Sequence, residues 1–277
     1  MLGSSVEKLF SSLLSALVLD KAAPTGPVRL PYAKFPYTRA VNILAVFPHP
    51  DDEIGCAATL AHHAALGDCV TLAFTTYGEL ASHFAGKPHA EVKAVREGHA
   101  RHVAELVGAG VRFFDFGDTR VSGSRQQNGE LACLYAELKP DAIITWDETS
   151  PSGSSHPDHR ATARSAFDAI TLARLPGILA EFGRPDLEAH RKPVRFYQYG
   201  HYSLPQPGWP LVHLAVSEAA VNIGAEVLEF YAQFYDWKTD RESYIRDRKE
   251  SGERAGVEYA DKYFLRRGYA PALERLV

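Results

Sequence analysis

From residue 41 onward, short apolar runs alternate with segments of helical length, and no other feature limits the possible folds so strongly. Residues 41–47 (VNILAVF) form a continuous apolar run of strand length, the pattern of a strand covered on both faces. Residues 54–66 then read as a helix stopped by Gly67. The alternation continues with a strand at 70–76, a long helix at 89–107, a strand at 111–116, a helix at 130–138, a strand at 142–146 and a helix at 159–174. Strands that alternate with helices make βαβ units with right-handed crossovers, which predicts an α/β fold around a mostly parallel sheet. The last third is less regular. Strands are expected at 195–199 and 211–216, separated by a loop carrying Pro205, Pro207, Gly208 and Pro210, and helices at 218–235 and 239–255.

The chain has 277 residues, 45% of them apolar, enough for a sizeable core in one large α/β unit. Ahead of it, Val6, Phe10, Leu13, Leu14 and Leu17 fall on one face at helical spacing. Glu7 precedes the apolar stretch 9–19, and Asp20 and Lys21 stand where a signal cleavage site would begin, so a docked amphipathic helix is expected rather than a leader. Prolines at 24, 27, 31 and 36 mark an extended connector. The expected organisation is therefore a helix and proline-rich connector over 1–37, then a single domain over 38–277. No later stretch reaches the roughly 20 apolar residues of a membrane span. A net charge of −4 leaves no basic footprint for nucleic acid. The three cysteines, Cys56, Cys69 and Cys133, form no CxxC pair, and a cytoplasmic location is the expectation.

Two short segments carry the chemistry. Pro48-His49-Pro50-Asp51-Asp52-Glu53 directly follows the first strand, and His156-Pro157-Asp158-His159 lies in the loop after the fourth. If both strands are parallel, both segments emerge at carboxyl ends of the sheet, the edge where open α/β folds bind ligands. A catalytic zinc site needs about three protein ligands and one open position. His49 and Asp52, three apart at a strand-to-helix turn, can face one ion, and His159 can complete the set from the other loop. Asp51 is then left as an uncoordinated carboxylate able to take a proton from water. His156 is placed to donate to an oxyanion or protonate a departing amine, and Asp158 to orient a histidine. Either segment alone reads equally well as a proline turn whose Asp caps the next helix. The two together, each at a strand end, favour the metal reading.

His49-Pro-Asp-Asp-Glu53 followed by His156-Pro-Asp-His159 resembles the LmbE-like, or PIG-L, family of N-acetylglucosaminyl de-N-acetylases, over about residues 41–175. The resemblance implies a Rossmann-like three-layer fold, a Zn²⁺, Fe²⁺ or other divalent ion, and hydrolysis of an N-acetyl group from an N-acetylglucosaminyl compound. It also implies a small amino-sugar partner and a homo-oligomer. By that resemblance His49, Asp52 and His159 match the metal ligands and Asp51 the general base. His156 matches the histidine of oxyanion stabilisation or acid catalysis, with Asp158 beside it. Further resemblances mark three substrate-binding candidates: Glu79 in the Gly78-Glu79 turn, Arg96, and Asp118 after Phe116-Gly117. Each has a local alternative, such as a helix ion pair for Arg96 or a turn cap for Asp118.

The chain departs from the family pattern in places. Ser154 stands where some members carry a tyrosine, and the segment after Val216-Ser217-Glu218 differs, which leaves the substrate and the oligomer contacts open. Within enzymes the alternative is an amidase for a bulkier glucosaminyl-thiol conjugate; outside them, a sugar-binding homologue with a vestigial site. There is no GxGxxG after the first strand, no GxxxxGK[ST] and no GxSxG elbow, which argues against nucleotide-phosphate binding and serine hydrolysis.

Overall fold

A computed structural model describes residues 39–148, 156–200 and 209–267. The expected N-terminal helix and connector, Ser154, and most of the loop after residue 200 lie outside the described residues. Seven strands form one sheet: β1 (Asn42–Phe47), β2 (Cys69–Phe74), β3 (Gly110–Phe113), β4 (Ala142–Trp146), β5 (Arg195–Tyr199), β6 (Leu211–Ala215) and β7 (Ala260–Arg267). Their order is β3-β2-β1-β4-β5-β7-β6. The first five are mutually parallel, and β7 runs antiparallel to both β5 and β6. The mostly parallel α/β sheet expected from the alternation is present.

Helices cover both faces: α1 (Ala57–Ala65), α2 (His89–Val107), α3 (Arg125–Leu138), α4 (Pro157–Leu172), the short α5 (Pro176–Glu181), α6 (Glu218–Tyr235) and α7 (Arg241–Ala255). The period of two along β1 divides the core. Ile43, Ala45 and Phe47 pack with Leu60 of α1, Val103 of α2 and Leu228 of α6. Leu44 and Val46 pack on the opposite face with Leu131 of α3 and Ala166 of α4. Local chemistry sets the helix ends. Ser124, Ser217 and Asp240 each accept a backbone N–H in the first turn of the helix they precede, and Gly108 ends α2 at φ +72°.

Two differences from the expected elements have physical causes. Residues 52–56 form a 3₁₀ turn before α1 begins at Ala57, because the chain must tighten where it leaves β1. Strand β7 was not expected, because its run ADKYFLRR carries charges at Asp261, Lys262, Arg266 and Arg267. Asp261 is nonetheless buried. It accepts hydrogen bonds from the Thr59 amide and hydroxyl at 3.0 and 2.6 Å and from Arg248 Nε at 3.0 Å, so its charge is paired inside the fold.

From β1 the sheet grows in one direction to β2 and in the other to β4. The carboxyl ends of β1 and β4 therefore flank the point where the order reverses, the crevice at which such sheets bind ligands. Both histidine segments leave the sheet there.

Candidate metal and hydrolytic site

The turn after β1 carries His49 and, beyond Pro50, the three consecutive acids Asp51, Asp52 and Glu53, which take different partners. The His49 amide donates to Asp52 Oδ2 at 2.9 Å, which anchors that oxygen. Asp52 Oδ1 lies 3.1 Å from His159 Nε2, and Oδ2 lies 3.4 Å from His49 Nδ1. The Asp52 carboxylate thus sits between two imidazole nitrogens that come from different loops. His49, Asp52 and His159 each offer a nitrogen or oxygen ligand atom, all within 4.8 Å of one another, and these are ligand types that a divalent cation takes. His49, Asp52 and His159 therefore fit a divalent cation. The His159 ring stacks on Trp146, the last residue of β4, at 4.6 Å and 8° between planes, which fixes the ring that presents Nε2. Burial opposes ionisation of Asp52, but His159 and His49 beside it more than offset this and hold its carboxyl well below the usual range.

His49 also faces carboxylates on its other edge. Nε2 is 3.3 Å from Asp118 Oδ1 and 3.5 Å from Asp158 Oδ2. Burial opposes protonation of this imidazole, yet Asp118, Asp158 and Asp52 together push it well above the ordinary histidine range. His49, Asp118, His156 and Asp158 form a second grouping with ligand-type atoms. Three of its four carboxylate oxygens already accept backbone amides, however. Asp158 accepts from the Thr119 amide at 2.7 Å and the Val121 amide at 3.3 Å, and Asp118 Oδ2 accepts from the Leu80 amide at 3.0 Å. This side is better described as an acceptor shell that orients His49.

Helix α4 opens at the second segment with His156 as its N-cap. His156 Nδ1 accepts the Asp158 amide at 3.3 Å, so the ring proton belongs on Nε2, and Pro157 fills the first helical position. The His49 and His156 rings meet edge to face at 4.6 Å. Burial, with the neighbouring His49, pushes the His156 imidazole below its usual range.

The Asp51 carboxylate is held by Arg96. The Asp51 backbone is left-handed at φ +109°, an uncommon state for a residue with a side chain. Two braces hold it. Its amide donates to Glu53 Oε2 at 2.8 Å, and the Tyr231 hydroxyl of α6 donates to Glu53 Oε1 at 2.8 Å. The Asp51 carboxylate meets Arg96 at 3.2 Å, while the same guanidinium donates to the Pro50 and Tyr77 carbonyls at 2.5 and 2.7 Å and to the Tyr235 hydroxyl at 2.6 Å. Burial and the nearby Asp52 push the Asp51 carboxyl up to about 6, although Arg96 opposes the shift. Gly78 makes room for this arrangement: at φ +66°, a Cβ there would lie 2.8 Å from the Arg96 guanidinium.

Arg96 and Asp118 both lie on the same edge as the histidines, as their positions after strand-linked segments imply. Arg96 is 2% exposed and bound to protein groups. Glu79 accepts the Asp118 amide at 3.1 Å and so supports the turn that presents Asp118. In that turn Thr119 takes a left-handed φ of +66°, uncommon for a residue with a side chain, and Gly117 takes φ +82° without steric cost. Sequence reasoning missed Glu53, Tyr231, Tyr235 and Tyr199, whose hydroxyl donates to the Asp52 carbonyl. The one available signal was a tyrosine pair four apart on α6. A larger cavity of about 730 Å³, bounded by Arg112, Glu130 and Phe182, contains none of these residues.

Residues 44–170 match the family model described as PIG-L, GlcNAc-PI de-N-acetylase. The diacetylchitobiose deacetylase of Thermococcus kodakarensis is 27% identical over 215 residues, which cover 74% of this chain and 72% of that protein. The 1D-myo-inositol 2-acetamido-2-deoxy-alpha-D-glucopyranoside deacetylase 2 of Saccharopolyspora erythraea is 31% identical over 51% of this chain and 61% of its own length. The chain thus spans less than two thirds of this second relative. Among solved structures, a conserved protein from Thermus thermophilus superposes with a TM-score of 0.63 at 27% identity, covering 84% of this chain and 97% of that one. The 4-carboxy-2-hydroxymuconate hydratase of Pseudomonas putida superposes at 0.66 with 19% identity, over 84% of this chain and 99% of that one, a likeness of fold alone.

Proposed function

From the match of residues 44–170 to the PIG-L family model, we propose that the chain is a divalent-metal-dependent deacetylase acting on an N-acetylglucosaminyl compound. The observation that carries the reading is the division of labour within one turn. Asp52 lies between His49 Nδ1 and His159 Nε2, whereas adjacent Asp51 is braced by Arg96 and Glu53.

His49, Asp52 and His159 would hold Zn²⁺ or Fe²⁺, which when bound supplies a Lewis acid beside the attacking water and the amide oxygen. Asp51 takes a proton from that water as its oxygen bonds to the acetyl carbonyl carbon. The His156 Nε2–H, directed by the amide that Nδ1 accepts, donates to the oxygen that gains charge. Asp158 holds the 118–121 turn by its two amides and faces His49, so it positions both loops. When the carbon–nitrogen bond breaks, the proton held by Asp51 passes to the nitrogen, leaving acetate and a free amine. Asp118 is the sugar-facing candidate, while Arg96, buried and bound to protein acceptors, positions Asp51, and Glu79 supports the Asp118 turn.

The test is acetate release from N,N'-diacetylchitobiose and from the glucopyranosyl-inositol acetamide, before and after chelation and with Zn²⁺ or Fe²⁺ restored. Activity that disappears with the metal and returns on its addition is expected, and His159→Ala should purify with little metal. Metal-replete protein that releases no acetate from any N-acetylglucosaminyl compound would overturn the reading. Preference for a longer acyl chain would instead favour the amidase for bulkier conjugates.

A further inference from the structure

A histidine that binds a metal ordinarily has a partner on the ring nitrogen that does not face the ion, and this partner fixes the ring. His49 has acidic neighbours on both edges, Asp52 on one and Asp118 and Asp158 on the other. His159 differs. Its Nε2 lies 3.1 Å from Asp52, and among the described residues no hydrogen bond or ion pair reaches its other ring nitrogen. The Trp146 indole covers the ring instead, 4.6 Å away and 8° from parallel.

Trp146 ends β4, and its register partner on the parallel neighbour β5 is Tyr199. Adjacent strands lie about 4.8 Å apart, so the side chains of register partners share a face and touch. Here the two rings are 4.3 Å apart at 34°. Tyr199 also meets Phe47, the last residue of β1, edge to face at 5.6 Å, and its hydroxyl donates to the Asp52 carbonyl. Gly55 leaves room for this ring, since a Cβ there would overlap it. A continuous path therefore runs from the Asp52 backbone through the Tyr199 hydroxyl and ring to Trp146 and the His159 imidazole. It joins the two loops that supply the ligand candidates. Trp146 itself offers an ion no ligand atom, and the Tyr199 oxygen is committed to the Asp52 carbonyl.

We propose that Trp146 and Tyr199 are positioning residues for the candidate cation: together they set the separation of Asp52 and His159, and through it the affinity of the site for metal. This rests on the assignment of His49, Asp52 and His159 as ligands, and not on the chemistry of deacetylation. Without the indole, His159 is free to leave the orientation in which Nε2 faces Asp52, and binding must then order it. Without the Tyr199 hydroxyl, the stack remains but the Asp52 backbone loses its tie to it.

The experiment measures Zn²⁺ affinity of the metal-stripped full chain by competition with a chromophoric chelator, and the visible absorption of the Co²⁺-loaded protein. Trp146→Leu should bind Zn²⁺ about 10–100-fold more weakly, the usual cost of losing support around a metal ligand. Its Co²⁺ bands should change as well, because they report the arrangement of the ligands. Trp146→Phe keeps a stacking face and should recover most of both. Tyr199→Phe should weaken Zn²⁺ about fivefold, the worth of one hydrogen bond. Phe196 is the control: it is also in β5 and fully buried, but in the core on the opposite face of the sheet. Phe196→Leu should lower the urea midpoint and leave affinity and spectrum unchanged. Natural affinity and spectrum in Trp146→Leu, or equal losses of affinity in Trp146→Leu and Phe196→Leu, overturn the proposal. If Trp146→Leu does not fold, Tyr199→Phe decides: weaker binding supports the proposal and natural affinity overturns it. Natural protein that takes up neither ion overturns the metal assignment and this proposal together. Metal-loaded natural protein that releases no acetate, with affinity still falling in Trp146→Leu, defeats the deacetylase reading alone.

Discussion

The two sides of the 48–53 turn are built to different tolerances. On the side facing His156 and His159, His49 Nε2 and Asp118 Oδ1 face each other at 3.3 Å, and among the described residues neither has a partner in hydrogen-bond geometry. On the side facing α6, polar groups are matched: Glu53 accepts from Asp51 and Tyr231, and Arg96 donates to two carbonyls, Asp51 and Tyr235. The contrast teaches where rigidity is needed. The matched side fixes a carboxylate against its support, whereas the unmatched side is shaped for groups that arrive from outside.

The strongest way to break that contrast is to treat Asp51 and Asp52 alike. Asp52→Asn should lose the metal and with it nearly all activity, while excess Zn²⁺ restores part of it. Asp51→Asn should keep the metal but lower kcat by about 10²–10⁴-fold. Metal content and turnover measured side by side decide the matter, and the opposite pattern would mean that the two roles are exchanged.

Glu53 gives a smaller effect that sharpens the comparison. Glu53→Ala leaves the Asp51 amide and the Tyr231 hydroxyl without their acceptor, so the left-handed Asp51 is no longer held. Releasing about 1–3 kcal/mol of backbone strain there should lower kcat about 10–100-fold, with KM and metal content little changed. Glu53→Gln should recover much of the loss, because its amide oxygen still accepts from Asp51 while its NH₂ donates to Tyr231. An alanine variant with normal kcat would show that the brace has no bearing on the reaction.

The mildest change is Tyr235→Phe, which removes one of several acceptors for Arg96. A stability loss of about 0.5–1.5 kcal/mol is expected in urea unfolding. The effect on kcat should stay under about threefold, because Arg96 keeps Asp51 and the two carbonyls. If kcat fell as far as in Asp51→Asn, the Tyr235 hydroxyl would itself take part in the chemistry, and the two sides would not be distinct.

The ligand candidates were legible in the sequence because their geometry is local. His49 and Asp52 are fixed by one turn, and His156 to His159 by the start of one helix, so only the convergence of β1 and β4 had to be inferred. The braces were not legible. Tyr231 meets Glu53 and Tyr235 meets Arg96 across more than a hundred residues of chain, and in isolation α6 shows only an apolar face with two tyrosines. The position of Arg96 was legible, but not that a buried guanidinium would bind four protein acceptors. Strand β7 escaped for the converse reason: its charges look exposed until Arg248 and Thr59 pair Asp261 within the core.

If Asp51 is the proton acceptor proposed above, its left-handed backbone sets heat tolerance against turnover. Glycine adopts such a φ without steric cost, so it is the residue that would relieve the strain at position 51. Selection for heat resistance alone would therefore tend to install glycine there, and a hardier protein could emerge that no longer turns over its substrate.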